Sequence, residues 1–177
     1  MKILSLIVAL VASVSTVMAD ESALQLSLTP DVALHPKTTI IRGLTLDIWV
    51  ENPQHGLTLG FVNGSTGVSS GLSWAFIANY ADSYSGVQWG LVNYTKEESE
   101  GWQGGFVNCS EGSYTGLQTG FINYAKEFKG LQLGAINYAE KLDGLQVGFL
   151  NVARSNPWFD EFPNKLATGF PILNWSF

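Results

Sequence analysis

Cysteine and histidine are almost absent from this sequence, which contains only Cys109, His35 and His55. A single cysteine excludes an intrachain disulfide, so stability has to come from packing and backbone pairing. The histidines stand before Pro36 and just ahead of the first repeat, in contexts typical of loops, and neither has the spacing of a metal ligand or a general base. Cys109 takes a place that tyrosine holds in sister repeats, with no histidine nearby in the sequence to act as a base. We therefore predict no catalytic residue, no metal site and no cofactor, and we expect the protein not to be an enzyme.

Basic residues are scarce as well. The sequence has nine lysines and arginines against fifteen aspartates and glutamates. Without Lys2, which belongs to a candidate leader, eight basic and fifteen acidic residues remain, a net charge of −7. A chain this acidic cannot neutralise nucleic-acid phosphates, so we predict no nucleic-acid partner.

No apolar run is long enough to cross a membrane as a helix. The mostly apolar residues 3–12 follow Lys2, and Val17, Met18 and Ala19 precede Asp20. A bilayer-spanning helix needs about 20 apolar residues. A basic start, a short apolar run and a small-residue cleavage site are instead typical of a secretory signal peptide. We predict that residues 1–19 are a signal peptide, that the protein is exported, and that residues 20–177 form one domain.

Charged residues are missing from the ten-residue bodies of seven tandem repeats, which dominate the sequence after residue 55. The repeats follow the template G-L-Q-x-G-F-V/I-N-Y-A, and they are separated by mostly polar turns. The units are spaced by 15 or 14 residues and begin at Gly56, Gly71, Gly86, Gly101, Gly116, Gly130 and Gly144. They divide the domain into repeats at 56–153, an aromatic loop at 154–168 and a C-terminal strand at 169–177.

The repeat bodies are rich in β-branched, aromatic and glycine residues, and turn residues bound them, which is typical of strands. Residues 24–28 and 44–50 alternate apolar and polar side chains with a period of two, as strands with one apolar face do. About ten strands can be counted. The same alternation predicts two faces in each repeat, one with Leu117, Thr119, Phe121 and Asn123 and the other with Gly116, Gln118, Gly120, Ile122 and Tyr124.

The first fold that these strands predict is a small antiparallel β-barrel of about ten strands in an outer membrane. Ten residues span ~33 Å of strand, and a tilt near ~40° reduces this to about the ~25 Å apolar band of such barrels. Uncharged repeats suit contact with a lipid bilayer, the partner that this fold implies. Trp175 and Phe177 alternate at the C-terminus, and a terminal phenylalanine of this kind resembles the assembly signal of outer-membrane barrels.

The alternative fold is a parallel β-solenoid in which each repeat forms one coil. The uniform single-unit spacing favours it, because successive turns of a barrel face opposite compartments and should alternate in pairs. An asparagine recurs in every repeat and could stack along such a solenoid as a structural ladder, at Asn63, Asn79, Asn93, Asn108, Asn123, Asn137 and Asn151. An open sandwich is a third possibility.

The tandem G-L-Q-x-G-x-x-N-x-A pattern of residues 56–153 resembles the repeat of exported bacterial surface-repeat proteins, including a leptospiral group. The resemblance implies an envelope location and no particular biochemical activity. The sequence departs from the pattern at Gly64, where tyrosine is usual, and at Asn79, which is shifted by one residue.

The aromatic loop holds Trp158, Phe159 and Phe162, more aromatic side chains than a connection needs. They could contact a partner or a membrane, or they could cap the end of the sheet. We expect a non-enzymatic bacterial envelope protein with a structural or surface-contact role, at the outer membrane or cell surface. The alternative is a soluble periplasmic or surface-exposed β-solenoid binding module; in neither case does the sequence identify a protein partner.

Overall fold

A computed structural model describes residues 20–177 and shows an all-β chain wound into one continuous stack of coils. The signal-peptide prediction concerns residues 1–19, which lie outside the described residues. The strands are β1 (Glu21–Thr29), β2 (Val32–Ala33), β3 (Ile40–Asn52), β4 (Gln54–Thr95), β5 (Ser99–Ala153) and β6 (Gly169–Ser176). Within residues 20–177, no helix is long and apolar enough to cross a bilayer.

The coils pair in parallel, so the fold is a β-solenoid. β3 pairs with β4 in parallel with Gly43 opposite Gly56, and β4 pairs with β5 in parallel with Gly86 opposite Gly101. The long strands β4 and β5 each bend through several coils, and about six turns of ~15 residues result. The predicted ten-stranded antiparallel barrel is therefore wrong, and the outer-membrane location loses the fold on which it depended. The solenoid alternative is confirmed: repeats of 14 or 15 residues place each unit beside the next in the same direction.

The first glycine of each repeat stacks on its counterpart in the neighbouring coil. Gly116 has a φ of +136°, a conformation that side-chain-bearing residues rarely adopt. A Cβ at Gly116 would lie 2.1 Å from the carbonyl oxygen of Gly101. The repeat begins with glycine because this corner allows neither a side chain nor an ordinary backbone angle.

A second corner lies at the sixth and seventh positions of each repeat, and it changes which residues point inward. Phe121 and Ile122 both point outward, whereas Gln118 and Asn123 are both fully buried. The predicted assignment of Asn123 to the face of Leu117, and of Ile122 to the face of Gln118, is therefore wrong. Two consecutive residues point outward at a corner, so the alternation of period two moves by one residue there.

The interior contains two ladders of amide side chains. Nδ2 of Asn108 donates to Oδ1 of Asn123 in the following coil at 2.8 Å, and it also donates to the carbonyl oxygen of Thr119 at 3.0 Å. Nε2 of Gln118 donates to Oε1 of Gln103 in the preceding coil at 2.8 Å. The asparagine ladder thus donates toward the C-terminus and the glutamine ladder toward the N-terminus. Buried amides are tolerated here because each finds partners one coil away.

A small apolar core lies inside the coils beside the turns that connect the repeat bodies, which we call the turn side. Its large members are Tyr114, Phe128 and Leu142, and small alanines fill the neighbouring positions. The rings of Tyr114 and Phe128 stack with centroids 6.0 Å apart. This core and the amide ladders together occupy the inside of the coils.

Both ends of the stack are covered. At the N-terminal end, Gln25 uses its side-chain amide to pair with the backbone N–H and carbonyl of His35, at 3.0 and 2.9 Å. At the C-terminal end, β6 pairs antiparallel with the last coil, with Leu145 opposite Trp175 and Val147 opposite Leu173. Covering the terminal strands limits the edges that another chain could extend.

Candidate functional site

One side of the solenoid is a continuous apolar surface, which we call the apolar face. It consists of the side chains at positions 2, 4 and 6, which lie on one side of the coil, and of those at position 7, just past the second corner; four in each of seven repeats make 28 in all. Of these, 26 are aliphatic or aromatic, and the two exceptions are Gly104 and Thr119. None carries a charge. The repeats therefore place their polar amides inside and their apolar side chains outside on this side.

The large side chains of the apolar face are well exposed. Phe76 is 65% and Phe149 85% exposed, far more than the side chains of a packed core. Neighbouring coils brace them: the rings of Phe106 and Phe121 stack in parallel with centroids 5.1 Å apart. These contacts hold the rings in rows, so the surface is ordered before anything binds to it.

The apolar face continues beyond the repeats at both ends. At the N-terminal end, Leu26 of β1 and Leu46 of β3 stand in register with Leu59 of the first repeat, and both leucines are exposed. At the C-terminal end, Leu173 and Trp175 of β6 stand opposite residues of the last repeat. Residues directly opposite in paired strands share one side of the sheet, so the face runs from β1 to β6.

The charged residues lie on the other sides of the coils. They form exposed pairs between neighbouring coils, as in Lys129 with Asp143 at 2.9 Å and Lys141 with Glu127 at 2.6 Å. The hydrogen bond from Lys141 lowers the pKa of Glu127 and raises that of Lys141. Exposed pairs of this kind contribute little to stability. They give the solenoid one polar side opposite an apolar one.

Two shallow grooves mark the part of the apolar face that the repeats form. One, of about 420 Å³, lies where Ala135 replaces the phenylalanine of other repeats, and Phe121, Val147 and Phe149 are among its walls. The other, of about 460 Å³, runs between Trp74 and Trp89 on one side and the phenylalanine row on the other. Apolar side chains line both grooves almost throughout, so the chemistry they offer is hydrophobic contact.

The predicted repeat asparagines are buried in the ladder and are not available to a ligand. From Asn79 to Asn137 each Nδ2 donates to the asparagine Oδ1 of the next coil at 2.8 Å, and the series ends at Asn151. Asn63 joins through Ser73, whose hydroxyl accepts from Asn63 and donates to Asn79, because Asn79 is shifted by one residue. The side chains act within the fold.

The three loop aromatics predicted as contacts are exposed. Trp158, Phe159 and Phe162 are 57%, 50% and 61% exposed. Phe162 packs against Trp175 with ring centroids 6.2 Å apart, and the indole N–H of Trp175 donates to the carbonyl oxygen of Pro163. The loop therefore lies against β6, next to the C-terminal end of the apolar face.

The predicted C-terminal assembly signal comprised Trp175 and Phe177. Trp175 is held by the aromatic loop, and Phe177 is 75% exposed with its N–H bonded to the carbonyl oxygen of Asn164. The interpretation of these two residues as an outer-membrane assembly signal depended on a barrel, which this fold is not.

The residues considered for chemistry do not come together. His35 contacts the hydroxyl of Ser22 and His55 that of Ser70, each at 2.9 Å, while burial raises the pKa of the Cys109 thiol. No three His, Cys, Asp or Glu side chains within residues 20–177 are placed to hold a metal ion. The predicted absence of catalytic, cofactor and metal sites remains a prediction.

Asp47 is a residue that sequence reasoning missed. It stands opposite Gly60 in the parallel pairing, and its carboxylate fills the space that a side chain at Gly60 would need. Both carboxylate oxygens are closed off from water and have no hydrogen-bond partner. This burial raises the pKa of Asp47 to about 7. Aligning β3 with the repeats could have found it, because Asp47 occupies the fifth position, where every repeat has glycine or alanine.

Comparison of the chain with protein-family models, with curated proteins and with solved structures found no match.

Proposed function

We propose that the protein is an exported, non-enzymatic β-solenoid binding module whose contact surface is the apolar face. The observation that carries the proposal is the 26 aliphatic or aromatic side chains among 28 outward positions, with no charge among them. Monomeric soluble proteins rarely expose contiguous apolar patches larger than a few hundred Å² unless the patch is an interaction site. The signal-peptide pattern supports action in the periplasm or at the cell surface.

The inward side chains support a role for the outside of the coils. Most glutamines and asparagines of the repeats pair their side-chain amides with one another along the solenoid. The interior therefore leaves a ligand little to bind. The stack acts as a rigid support that presents rows of apolar side chains at the spacing of its coils.

The aromatic loop is a second contact region by the same reasoning. Trp158 and Phe162 are exposed and lie beside β6, whose Leu173 and Trp175 extend the apolar face. We place the loop at the C-terminal border of the same binding surface.

A protection experiment in the native host tests the proposal. In a Cys109→Ser background, Phe76→Cys puts a single thiol on the apolar face, and Lys126→Cys puts one on the exposed polar side. Intact envelopes are treated with a membrane-impermeant maleimide after outer-membrane permeabilisation. We expect the thiol at position 76 to react at least ten-fold more slowly than the thiol at position 126.

Denatured samples of both variants give the intrinsic reactivity of each thiol and serve as the control. Equal protection factors at positions 76 and 126 would show that nothing covers the apolar face in the envelope. The proposed function would then be wrong.

A further inference from the structure

The apolar face is large enough to form one side of a stable dimer. Stacked strands lie ~4.8 Å apart and residues along a strand advance ~3.3 Å, so positions 2 to 6 of the nine strands in β1, β3 and the seven repeats give a flat surface of roughly 700 Å². A standard protein interface covers about 800 Å² on each partner. One partner of similar length would therefore cover the flat side of the apolar face.

The distribution of charge permits two copies to meet on this face. Residues 20–177 carry a net charge of −7, and none of it lies on the 28 side chains of the apolar face. In a face-to-face pair the acidic sides point away from each other, so like charges are not brought together. A lipid surface is less suitable, because interfacial binding is strengthened by basic residues beside the apolar side chains, and this chain is acidic.

The relief of the face is also suited to a partner of fixed shape. Phe149 protrudes with 85% of its surface exposed, and a groove of about 420 Å³ lies beside it at Ala135. An interface between two identical copies uses the same patch twice, so that patch must bear both protrusions and recesses. A fluid bilayer adapts to any apolar surface and does not require an ordered recess.

We propose that the occupant of the apolar face is a second copy of this chain, packed face to face as a symmetric dimer. The inference rests on the proposed function, because it names the partner of that same surface. The two solenoids form a sandwich whose inner layer is the aromatic and aliphatic rows and whose outer surfaces are the charged sides.

Analytical ultracentrifugation of the exported protein, over 0.1–100 μM as an experimental range, tests the dimer. We expect the wild type to be a dimer in the upper part of that range. Phe106→Glu, which places a charge in the middle of the face, should weaken the association constant at least 100-fold. A matched control is Val68→Glu: Val68 is 74% exposed but lies beside Ser83 and Glu98 on the polar side, so the same new charge should leave association unchanged.

A second measurement does not depend on the folding of Phe106→Glu. The thiol of Phe76→Cys, in the Cys109→Ser background, should be protected from maleimide in concentrated purified protein and become reactive on dilution. A wild type that is monomeric at the highest concentration overturns the dimer, as does association that Phe106→Glu leaves unchanged.

The failure of the dimer and the failure of the proposed function give different results. A monomeric protein whose position 76 is still protected in the envelope overturns the second copy and leaves the binding module standing. If that monomer also floats with phosphatidylcholine vesicles, while Phe106→Glu does not, the occupant is a lipid surface. A monomer with an unprotected position 76 in the envelope overturns both.

Discussion

The Nδ2 atom of Asn123 lies 2.8 Å from the Oδ1 atom of Asn137, fourteen residues later in the chain. The same Nδ2 also donates to the carbonyl oxygen of Leu133 at 3.0 Å, and the Oδ1 of Asn123 accepts from Asn108. Each asparagine is thus held by the coil before it and the coil after it. The ladder couples coils whose residues are distant in sequence.

Replacing Asn123 with leucine should destabilise the solenoid by about 2–5 kcal/mol. The change leaves the Oδ1 of Asn137 without its donor and removes the acceptor of Asn108, and an unpaired buried polar group costs about 1–3 kcal/mol. Urea unfolding followed by circular dichroism measures the loss. The control is Ile122→Leu, an outward volume-conserving change at the next residue, which should cost less than about 1 kcal/mol. Similar losses for the two variants would contradict a buried ladder.

Gly116→Ala should destabilise the fold by more than about 3 kcal/mol or prevent folding. A Cβ there would lie 2.1 Å from the carbonyl oxygen of Gly101, and the backbone has a φ of +136°. The control is Gly67→Ala, where φ is +59° and a Cβ would meet open space, so only the ~1–2 kcal/mol cost of the left-handed conformation applies. Thermal unfolding of both variants checks the order. A Gly116→Ala protein as stable as Gly67→Ala would rule out the close stacking.

Asp47 should make the protein less stable as the pH rises. Its pKa is raised from 3.8 to about 7 by burial, so between pH ~4 and ~7 the folded chain holds a proton that the unfolded chain has released. The free energy of unfolding therefore falls across this window and is level above it. The full shift corresponds to at most ~4 kcal/mol.

Asp47→Asn removes the titrating group, so it should flatten this part of the pH profile. Urea unfolding at pH 5 and pH 8 of the wild type and the variant measures the difference. The control is Asp143→Asn, at an exposed aspartate paired with Lys129, which should leave the decline between pH 5 and pH 8 in place. A decline of equal size in wild type and Asp47→Asn would show that other groups cause it.

Truncation of Phe128 should destabilise the fold far more than truncation of Phe149. Phe128 is 2% exposed and packs in the turn-side core, so Phe128→Ala should cost about 3–5 kcal/mol. Phe149 is 85% exposed, so Phe149→Ala should change the stability of the isolated chain by less than about 0.5 kcal/mol. Both are measured by urea unfolding at low protein concentration, where any association is minimal. Comparable losses would mean that the side of the coil assigned as interior is wrong.

Much of each repeat could be predicted because it depends on residues that are close together in the sequence. The repeat length, the strand-like bodies and the glycine corners follow from the residues around Gly56, Gly116 and their counterparts. The equal spacing also pointed to the solenoid. The barrel was preferred because uncharged repeats were taken to require lipid on one side. The preference for the barrel was wrong, since the coils close around their amides and leave the apolar positions on the outside.

The inward and outward assignment could be predicted only as far as the second corner. Alternation correctly places Gln118 on the opposite side of the strand from Leu117. Past Phe121 it fails, because a corner turns two consecutive residues outward and the period of two does not record corners. Asp47 was missed for a related reason: its burial depends on lying beside Gly60, thirteen residues away in the chain.

The sequence by itself determined that the chain is a β protein of regular repeats, with glycine at each start and no charge in the repeat bodies. Only the tertiary structure decided that the amides are inside and that the phenylalanine and leucine rows are outside. The physical reason is that an amide becomes acceptable in the interior when another amide stands one coil away to bond it. That contact exists only once the coils are stacked.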